Sequence, residues 1–279
     1  MKTAILIDSG CDVSEELVQR YHMKVMRLHV IYPEGDYIDD MDITAETVYR
    51  RFPREIPITS TPSPQEVQNM AEEIKSEGYT HVLAFCISSG LSGTYNTVSC
   101  ILNQDKDLTS FVLDTRNISF GAGILAVWAA MELEKGSFDG LTEILPVKVK
   151  DSKVFYYMDT LTYLRKGGRI GLVTSVVGSM LNIKPIISCD DDGVYYTVAK
   201  IRGARHGQSR LLEEARTFAG SGPCLTALLN GQGQESAAAL RPRLISGIQG
   251  GRLIMEKSIV PSLAVHTGPG LVGIGILRL

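Results

Sequence analysis

Cysteine is scarce: Cys11, Cys86, Cys100, Cys189 and Cys224 are scattered over 279 positions and never form a C-x-x-C pair. An odd, dispersed set supplies neither a disulfide framework nor a zinc site, so these residues read as buried small hydrophobes. Net charge is nearly absent as well, with 28 Lys and Arg against 31 Asp and Glu leaving -3. Bulk electrostatics therefore draw the chain neither to nucleic acid nor to an anionic membrane, and any basic site must be local. The longest near-apolar stretch, Gly121 to Leu133, is too short to span a hydrocarbon core of about 30 Å. The opening Met1-Lys2-Thr3-Ala4-Ile5-Leu6-Ile7-Asp8 meets an aspartate before any long apolar segment forms, so no signal peptide and a cytoplasmic location are expected. No Gly-Lys-Ser/Thr of a phosphate loop occurs, which argues against nucleotide chemistry within the chain.

What is present is 44% hydrophobic and 21% charged, the balance of a globular chain long enough for two domains. Through the first half, short apolar runs alternate with helical patterns. Strands are expected at Thr3 to Asp8, Val25 to Ile31, near Ile58, His81 to Ile87 and Ser110 to Asp114, with helices at Ser14 to Tyr21, Thr44 to Phe52, Pro64 to Glu77, Thr94 to Gln104 and Gly121 to Glu134. That rhythm predicts a three-layer α/β/α domain over 1–150 with a mostly parallel sheet and ligands beyond the strands' carboxyl ends. From Lys153 the pattern changes. Strands at Val154 to Met158, Pro185 to Ser188, Val194 to Ile201, Leu225 to Leu229, Arg252 to Ile259 and Gly270 to Leu277 join helices at Leu161 to Arg165, Thr174 to Leu181, Arg205 to Phe218 and Glu235 to Ser246. This predicts a two-layer α/β domain with a mixed sheet over 151–279, and Asp192-Gly193 marks a hairpin between two β-rich runs.

The most informative stretch is Ser88-Ser89-Gly90-Leu91-Ser92-Gly93-Thr94-Tyr95, which leaves a strand and enters a helix. Its glycines allow close backbone approach, and its hydroxyls and free N–H groups suit an anion, although a simple helix cap explains the same pattern. Gly90-Leu91-Ser92-Gly93-Thr94 lacks the last glycine of a nucleophile elbow. A serine acyl hydrolase using Ser92 and His266, completed by an aspartate such as Asp114, is thus the weaker reading. In Thr59-Ser60-Thr61-Pro62-Ser63-Pro64, Ser63 is a natural N-cap, which leaves Thr59 and Ser60 free at a strand end. Ala264-Val265-His266-Thr267-Gly268-Pro269-Gly270 reads as a small-residue loop with one imidazole. Asp39-Asp40-Met41-Asp42 reads as a solvent-exposed turn. The basic runs around Arg169 and Arg202 are solvated faces or a docking patch.

In order along the chain, Ile7-Asp8-Ser9-Gly10-Cys11-Asp12, Thr59-Ser60-Thr61-Pro62-Ser63, Ile87 to Tyr95, Asp114-Thr115-Arg116, Leu164 to Ile170, Leu181 to Ile186, Asp192-Gly193, Arg202-Gly203 and His266 to Gly270 resemble the DegV family of bacterial fatty-acid-binding proteins. The resemblance implies two α/β domains, a long-chain fatty acid in a tunnel of the first, and its carboxylate at their interface. It places the head group at Thr59 and Ser92 with His266 nearby, supported by Ser60, Ser89, Gly90, Gly93 and Thr94. It further implies a binding subunit that presents the acyl chain to a separate fatty-acid kinase, or acts as a lipid-loaded sensor; the two basic runs make Arg169 and Arg202 the expected docking residues, and no motif calls for a cofactor or metal. The chain departs from the family's pattern at Thr61, in place of glutamine, and at Gly10-Cys11, in place of Thr-Ser. Burying about fourteen methylenes at about 0.8 kcal/mol each favours binding by on the order of 11 kcal/mol. Carboxylate desolvation and chain ordering reduce that figure, so donors at the head are needed. The apolar helix Gly121 to Leu133 is a candidate tunnel wall, or ordinary core.

Overall fold

The computed structural model describes residues 2–176, 183–202 and 204–279. The first part of the chain forms β1 (Thr3–Asp8), α1 (Glu15–Arg20), β2 (Lys24–Met26), β3 (His29–Tyr32), β4 (Gly35–Ile38), α2 (Ala45–Arg51), β5 (Ile58–Ser60), α3 (Pro64–Ser76), β6 (His81–Cys86), α4 (Thr94–Leu102), β7 (Thr109–Asp114), α5 (Phe120–Leu133) and α6 (Phe138–Lys148). The remainder forms β8 (Ser152–Tyr157), α7 (Thr162–Lys166), β9 (Ile183–Cys189), β10 (Tyr195–Arg202), α8 (Ala204–Ala219), β11 (Cys224–Gly231), α9 (Gln234–Gly247), β12 (Gly251–Ser258), α10 (Pro261–Thr267) and β13 (Leu271–Arg278).

Alternation along the strands builds the layers. In β1, Ala4 and Leu6 join Val67, Ile74 and Val98 of α3 and α4 in one core, whereas Ile5 and Ile7 face Ile124 and Leu125 of α5 in another. The parallel sheet in the order β2-β1-β6-β7 is thus covered on both faces. The second sheet, in the order β10-β9-β8-β13-β11-β12, is antiparallel except for the β11–β12 pair. Its Phe155, Leu228 and Ile274 pack with Leu211 of α8 and Leu240 of α9, and its Val154, Tyr156 and Ala227 join the core around α5. Helix α5 therefore lies between the two sheets and contacts β1, β6, β8, β11 and β13. A helix buried on all sides has no use for a polar face, which explains why its sequence, Phe-Gly-Ala-Gly-Ile-Leu-Ala-Val-Trp-Ala-Ala-Met-Glu-Leu, is apolar nearly throughout. Among the described residues, no helix is long and apolar enough to cross a membrane.

Several expectations are corrected. The run Val25 to Ile31 is two strands: β2 pairs with β1, and β3 joins the small antiparallel sheet β4-β3-β5. The chain turns between them where the Ser9 hydroxyl accepts a 3.0 Å bond from the Leu28 N–H. The expected loop at Ala264 to Thr267 is helix α10, with Pro261 in its first turn. Of the expected helix Thr174 to Leu181, residues 174–176 belong to a 3₁₀ helix, Gly171–Val176, and the rest lies outside the described residues. Cys100 is exposed, unlike the other cysteines. Asp39 is buried, while Asp40 and Asp42 beside it are exposed.

Candidate functional site

In the parallel sheet the chain moves outward from β1 to β2 on one side and from β6 to β7 on the other, so the strand order reverses between β1 and β6. Loops leaving the carboxyl ends of strands at such a point diverge and open a crevice. The turn after β6 supplies Ile87, Leu91 and Ser92 to a cavity there, the small sheet supplies Thr59 and Ser60, and the turn between β2 and β3 supplies Leu28. Ser262, Leu263 and His266 come from α10, and Arg169 and Tyr195 from the second half of the chain. The cavity measures about 130 Å³. On the scale where one water needs about 10–15 Å³, that is room for on the order of ten non-hydrogen atoms. A longer apolar ligand extends further only by parting walls such as Ile87, Leu91 and Ile118.

The polar end is set by Thr59 and His266. Thr59 sits opposite Val30 in the β3–β5 ladder, and its Oγ1 lies 2.9 Å from His266 Nε2. Burial, reinforced by the Arg169 charge, lowers the His266 pKa from 6.5 to about 4, so the ring is neutral near pH 7. Its Nδ1 is buried with no hydrogen-bond partner among the described residues. A proton at Nδ1 would be an unsatisfied buried donor, so the geometry assigns it to Nε2, which donates to Thr59 Oγ1. The Thr59 O–H is then left to donate into the cavity. Ser92 is arranged alike: its Oγ accepts from the Thr94 N–H at 3.3 Å and lies 2.8 Å from Thr94 Oγ1. With the Thr94 hydroxyl donating, the Ser92 O–H is available to a ligand.

Arg169 brings the positive charge. Its Nη1 donates to the Gly167 carbonyl at 2.6 Å and its Nε to the Leu91 carbonyl at 3.4 Å, which tethers the guanidinium at the cavity wall. Gly167 is required by its neighbour: a Cβ there would sit 2.1 Å from His266 Nδ1. Helix α10 is held from below by two buried carboxylates. Asp39 accepts from the Ser262 N–H at 2.7 Å and from the Ser262 and Ser9 hydroxyls at 2.6 and 2.7 Å, and Asp12 accepts from the Val260 N–H at 2.9 Å. A second cavity of about 320 Å³, open to the surface, lies against the same place and shares Thr59, Arg169 and His266.

Thr59, Ser60, Ser92, His266 and Arg169 are thus brought together on one cavity. Arg169 therefore belongs to the cavity wall and not only to an outer basic run. The other loop residues are placed differently. The Ser89 hydroxyl and N–H both donate to Asp114. Gly90 allows the carbonyls of Asp192 and Gly193 to approach, with a Cβ there 3.1 Å from the nearer. Gly93 is the N-cap of α4, and Thr94 is fully buried behind Ser92. Arg202 is exposed on β10 and is not among the residues lining the cavity. Gly203, Leu181 and Asn182 of the quoted motifs lie outside the described residues. The hydrolase triad is not assembled, because Ser92 bonds Thr94, His266 bonds Thr59 and Asp114 bonds Ser89. No residue of Gly121 to Leu133 lines the cavity, and the helix packs in the core between the two sheets. No group of three or more His, Cys, Asp or Glu among the described residues is placed to hold a metal ion. Sequence reasoning missed Asp39, Ser262 and the apolar lining from Leu28, Tyr195 and Leu263. Only the aspartates of the Asp8-Ser9-Gly10-Cys11-Asp12 run pointed toward this buried support.

A family model described as "Uncharacterised protein, DegV family" matches residues 2–279. A DegV domain-containing protein of Clostridium acetobutylicum is 38% identical over 278 residues, covering 99% of each chain. A structure described as fatty acid binding of a DegV family protein from Thermus thermophilus superposes with a TM-score of 0.93 at 28% identity, covering 100% of both chains. One described as a stearic acid-binding protein from Eubacterium ventriosum has a TM-score of 0.86 at 26% identity, covering 100% of this chain and 98% of that one.

The steric fit at Gly167 yields a test. Its φ of -77° and ψ of -4° suit alanine, so Gly167→Ala meets one severe obstacle, the imidazole, beside a tight 3.3 Å approach to the Tyr163 carbonyl. The variant is expected to fold and to displace His266 toward water, raising its pKa from about 4 toward 6.5. NMR titration of the His266 ring reads this directly, and a variant still titrating near 4 contradicts the packing described.

Proposed function

The chain belongs to the DegV family, and from that premise and the cavity geometry we propose that it binds a long-chain fatty acid, with the carboxylate at Thr59, Ser92 and Arg169 and the acyl chain along Ile87, Leu91 and Ile118. The observation that carries this reading is the neutral His266 bonded to Thr59 beside the Arg169 guanidinium, at one end of a cavity with otherwise largely apolar walls. An apolar tail accounts for the walls. An acidic head accounts for the cation and for the two hydroxyls left free to donate. His266 acts by orienting Thr59 and needs no charge of its own. The fatty-acid descriptions of the Thermus and Eubacterium proteins agree with this ligand class.

In this reading the protein is a binding subunit without catalytic machinery of its own, and it presents the acyl chain to a separate fatty-acid kinase that forms acyl phosphate. The missing phosphate loop supports that division of labour. Docking is assigned to the basic face that carries the exposed Arg202. The acyl-hydrolase alternative lacks support, since the Ser92 hydroxyl is bonded to Thr94 and not to His266.

Thr59→Ala and Ser92→Ala are each expected to weaken fatty-acid binding by more than about tenfold, the loss of one hydrogen bond to a charged group at roughly 1.5–3 kcal/mol. Binding of the matching fatty alcohol should change far less. Calorimetry with both ligands decides the matter, and equal affinity of wild type and variants for the acid contradicts the head-group placement. Arg202→Glu is expected to reduce partner-dependent acyl phosphate formation while leaving fatty-acid affinity intact. Undiminished phosphorylation removes Arg202 from the docking face.

A further inference from the structure

We propose that the acyl chain taken by this cavity carries a hydroxyl group along its length, and that Tyr195 is the residue that recognises it. The inference rests on the reading of the cavity as a fatty-acid site and narrows the class of acid.

Six side chains bring hydroxyls to the cavity wall: Thr59, Ser60, Thr61, Ser92, Tyr195 and Ser262. Five are accounted for. Thr59 is bonded to His266, Ser92 to Thr94 and Ser262 to Asp39, while Ser60 and Thr61 are half-buried, where water can complete them. Tyr195 is different. It is 3% exposed, and it makes no hydrogen bond among the described residues. The hydroxyls of Tyr32, Tyr49 and Tyr157 also lack partners, but they are enclosed by protein. Tyr195 instead lines the cavity beside Leu91 and Ile118, the walls assigned to the acyl chain, so its hydroxyl is within reach of a ligand there.

The ring is not free to turn away. It stands edge-on to Tyr156 with centroids 6.4 Å apart, and its backbone is held opposite Cys189 in the β9–β10 ladder. Burial pushes its pKa well above 10, so the phenol stays neutral and can both donate and accept. A saturated chain laid against it shuts out water and supplies no partner, which costs on the order of tenfold in affinity. A hydroxyl on the chain removes that cost and makes a bond in its place. Sites built to bond a ligand hydroxyl discriminate against the analogue that lacks it far more strongly than an apolar wall discriminates by size. The cavity of 130 Å³ takes on the order of ten non-hydrogen atoms, so the recognised hydroxyl falls in the half of a long chain nearer the carboxylate.

The test is calorimetry of the full chain with octadecanoic acid and with its monohydroxy derivatives bearing the hydroxyl at carbon 3, 6, 8 or 10. One positional isomer is expected to bind wild type about tenfold more tightly than the parent acid, and the others more weakly, because they bury a hydroxyl with no partner. Tyr195→Phe keeps the ring and breaks no hydrogen bond among the described residues, so an unchanged melting temperature is expected. The variant should lose the preference for that isomer and bind octadecanoic acid at least as tightly as wild type. A wild type that prefers none of the hydroxy acids over octadecanoic acid overturns the proposal. So does a preference that survives in Tyr195→Phe. In both cases octadecanoic acid still binds, and the parent reading stands. Failure of wild type to bind any acid of the set overturns the parent reading as well.

Discussion

The hydrogen bond from His266 to Thr59 joins residues 207 positions apart, and the candidate site exists only while it holds. Thr59 rides on a three-residue strand in a small sheet, and His266 on a seven-residue helix. Neither element is long enough to be stable alone. Asp39 resolves this by lying just after β4 of that sheet while bonding Ser262 of the helix, so the same carboxylate links both bearers of the site. Burial raises the pKa of Asp39 even against three donated hydrogen bonds. That cost is borne at a junction, where it fixes the helix one turn from His266.

The larger frame has the same logic. Helix α5 gives both sheets a common apolar layer, so the core runs without interruption from Ile5 and Phe85 to Tyr156 and Leu225. A strand-end crevice between such closely packed sheets is narrow. The acidic turn after β9 reaches into it: the Ser88 hydroxyl donates to the Gly193 carbonyl at 2.8 Å, and Arg116 donates to the Asp191 carbonyl at 3.0 Å. These bonds close the crevice beside Leu91 and Ser92 and bring Tyr195 to its wall. An acyl tail must then separate apolar side chains that already touch, exchanging contact for contact.

Much of this was legible locally. Short apolar runs located β1, β6 and β7, the expected N-cap Ser63 caps α3 and forms a capping box with Glu66, and Asp-Gly produced the β9–β10 hairpin. The failures have physical causes. The run Val25 to Ile31 holds no glycine, proline or other turn residue, and only the tertiary bond from Leu28 to Ser9 divides it. Helix α10 is built from small and β-branched residues ending in Gly-Pro-Gly, a loop-like composition. It is helical because Asp12 and Asp39, more than 220 positions away, take up the N–H groups of Val260 and Ser262. Asp39 itself looked like the start of an exposed acidic turn, since its burial depends on a partner that local pattern does not reveal. Thr59, Ser92 and His266 were named from an ordered set of motifs. The Arg169 guanidinium beside them follows from carbonyls at Leu91 and Gly167 that no spacing rule anticipates.

The central claim is that an acid head group lies at the Thr59–His266 pair, and the most direct measurement is the NMR contact map of a bound fatty acid carrying ¹³C at its carboxyl and α carbons. The account predicts nuclear Overhauser contacts from the labelled head to the Thr59 and His266 side chains, with the mid-chain methylenes near Leu91 and Ile118. A labelled head that contacts neither Thr59 nor His266, while the acid remains stoichiometrically bound, would contradict it.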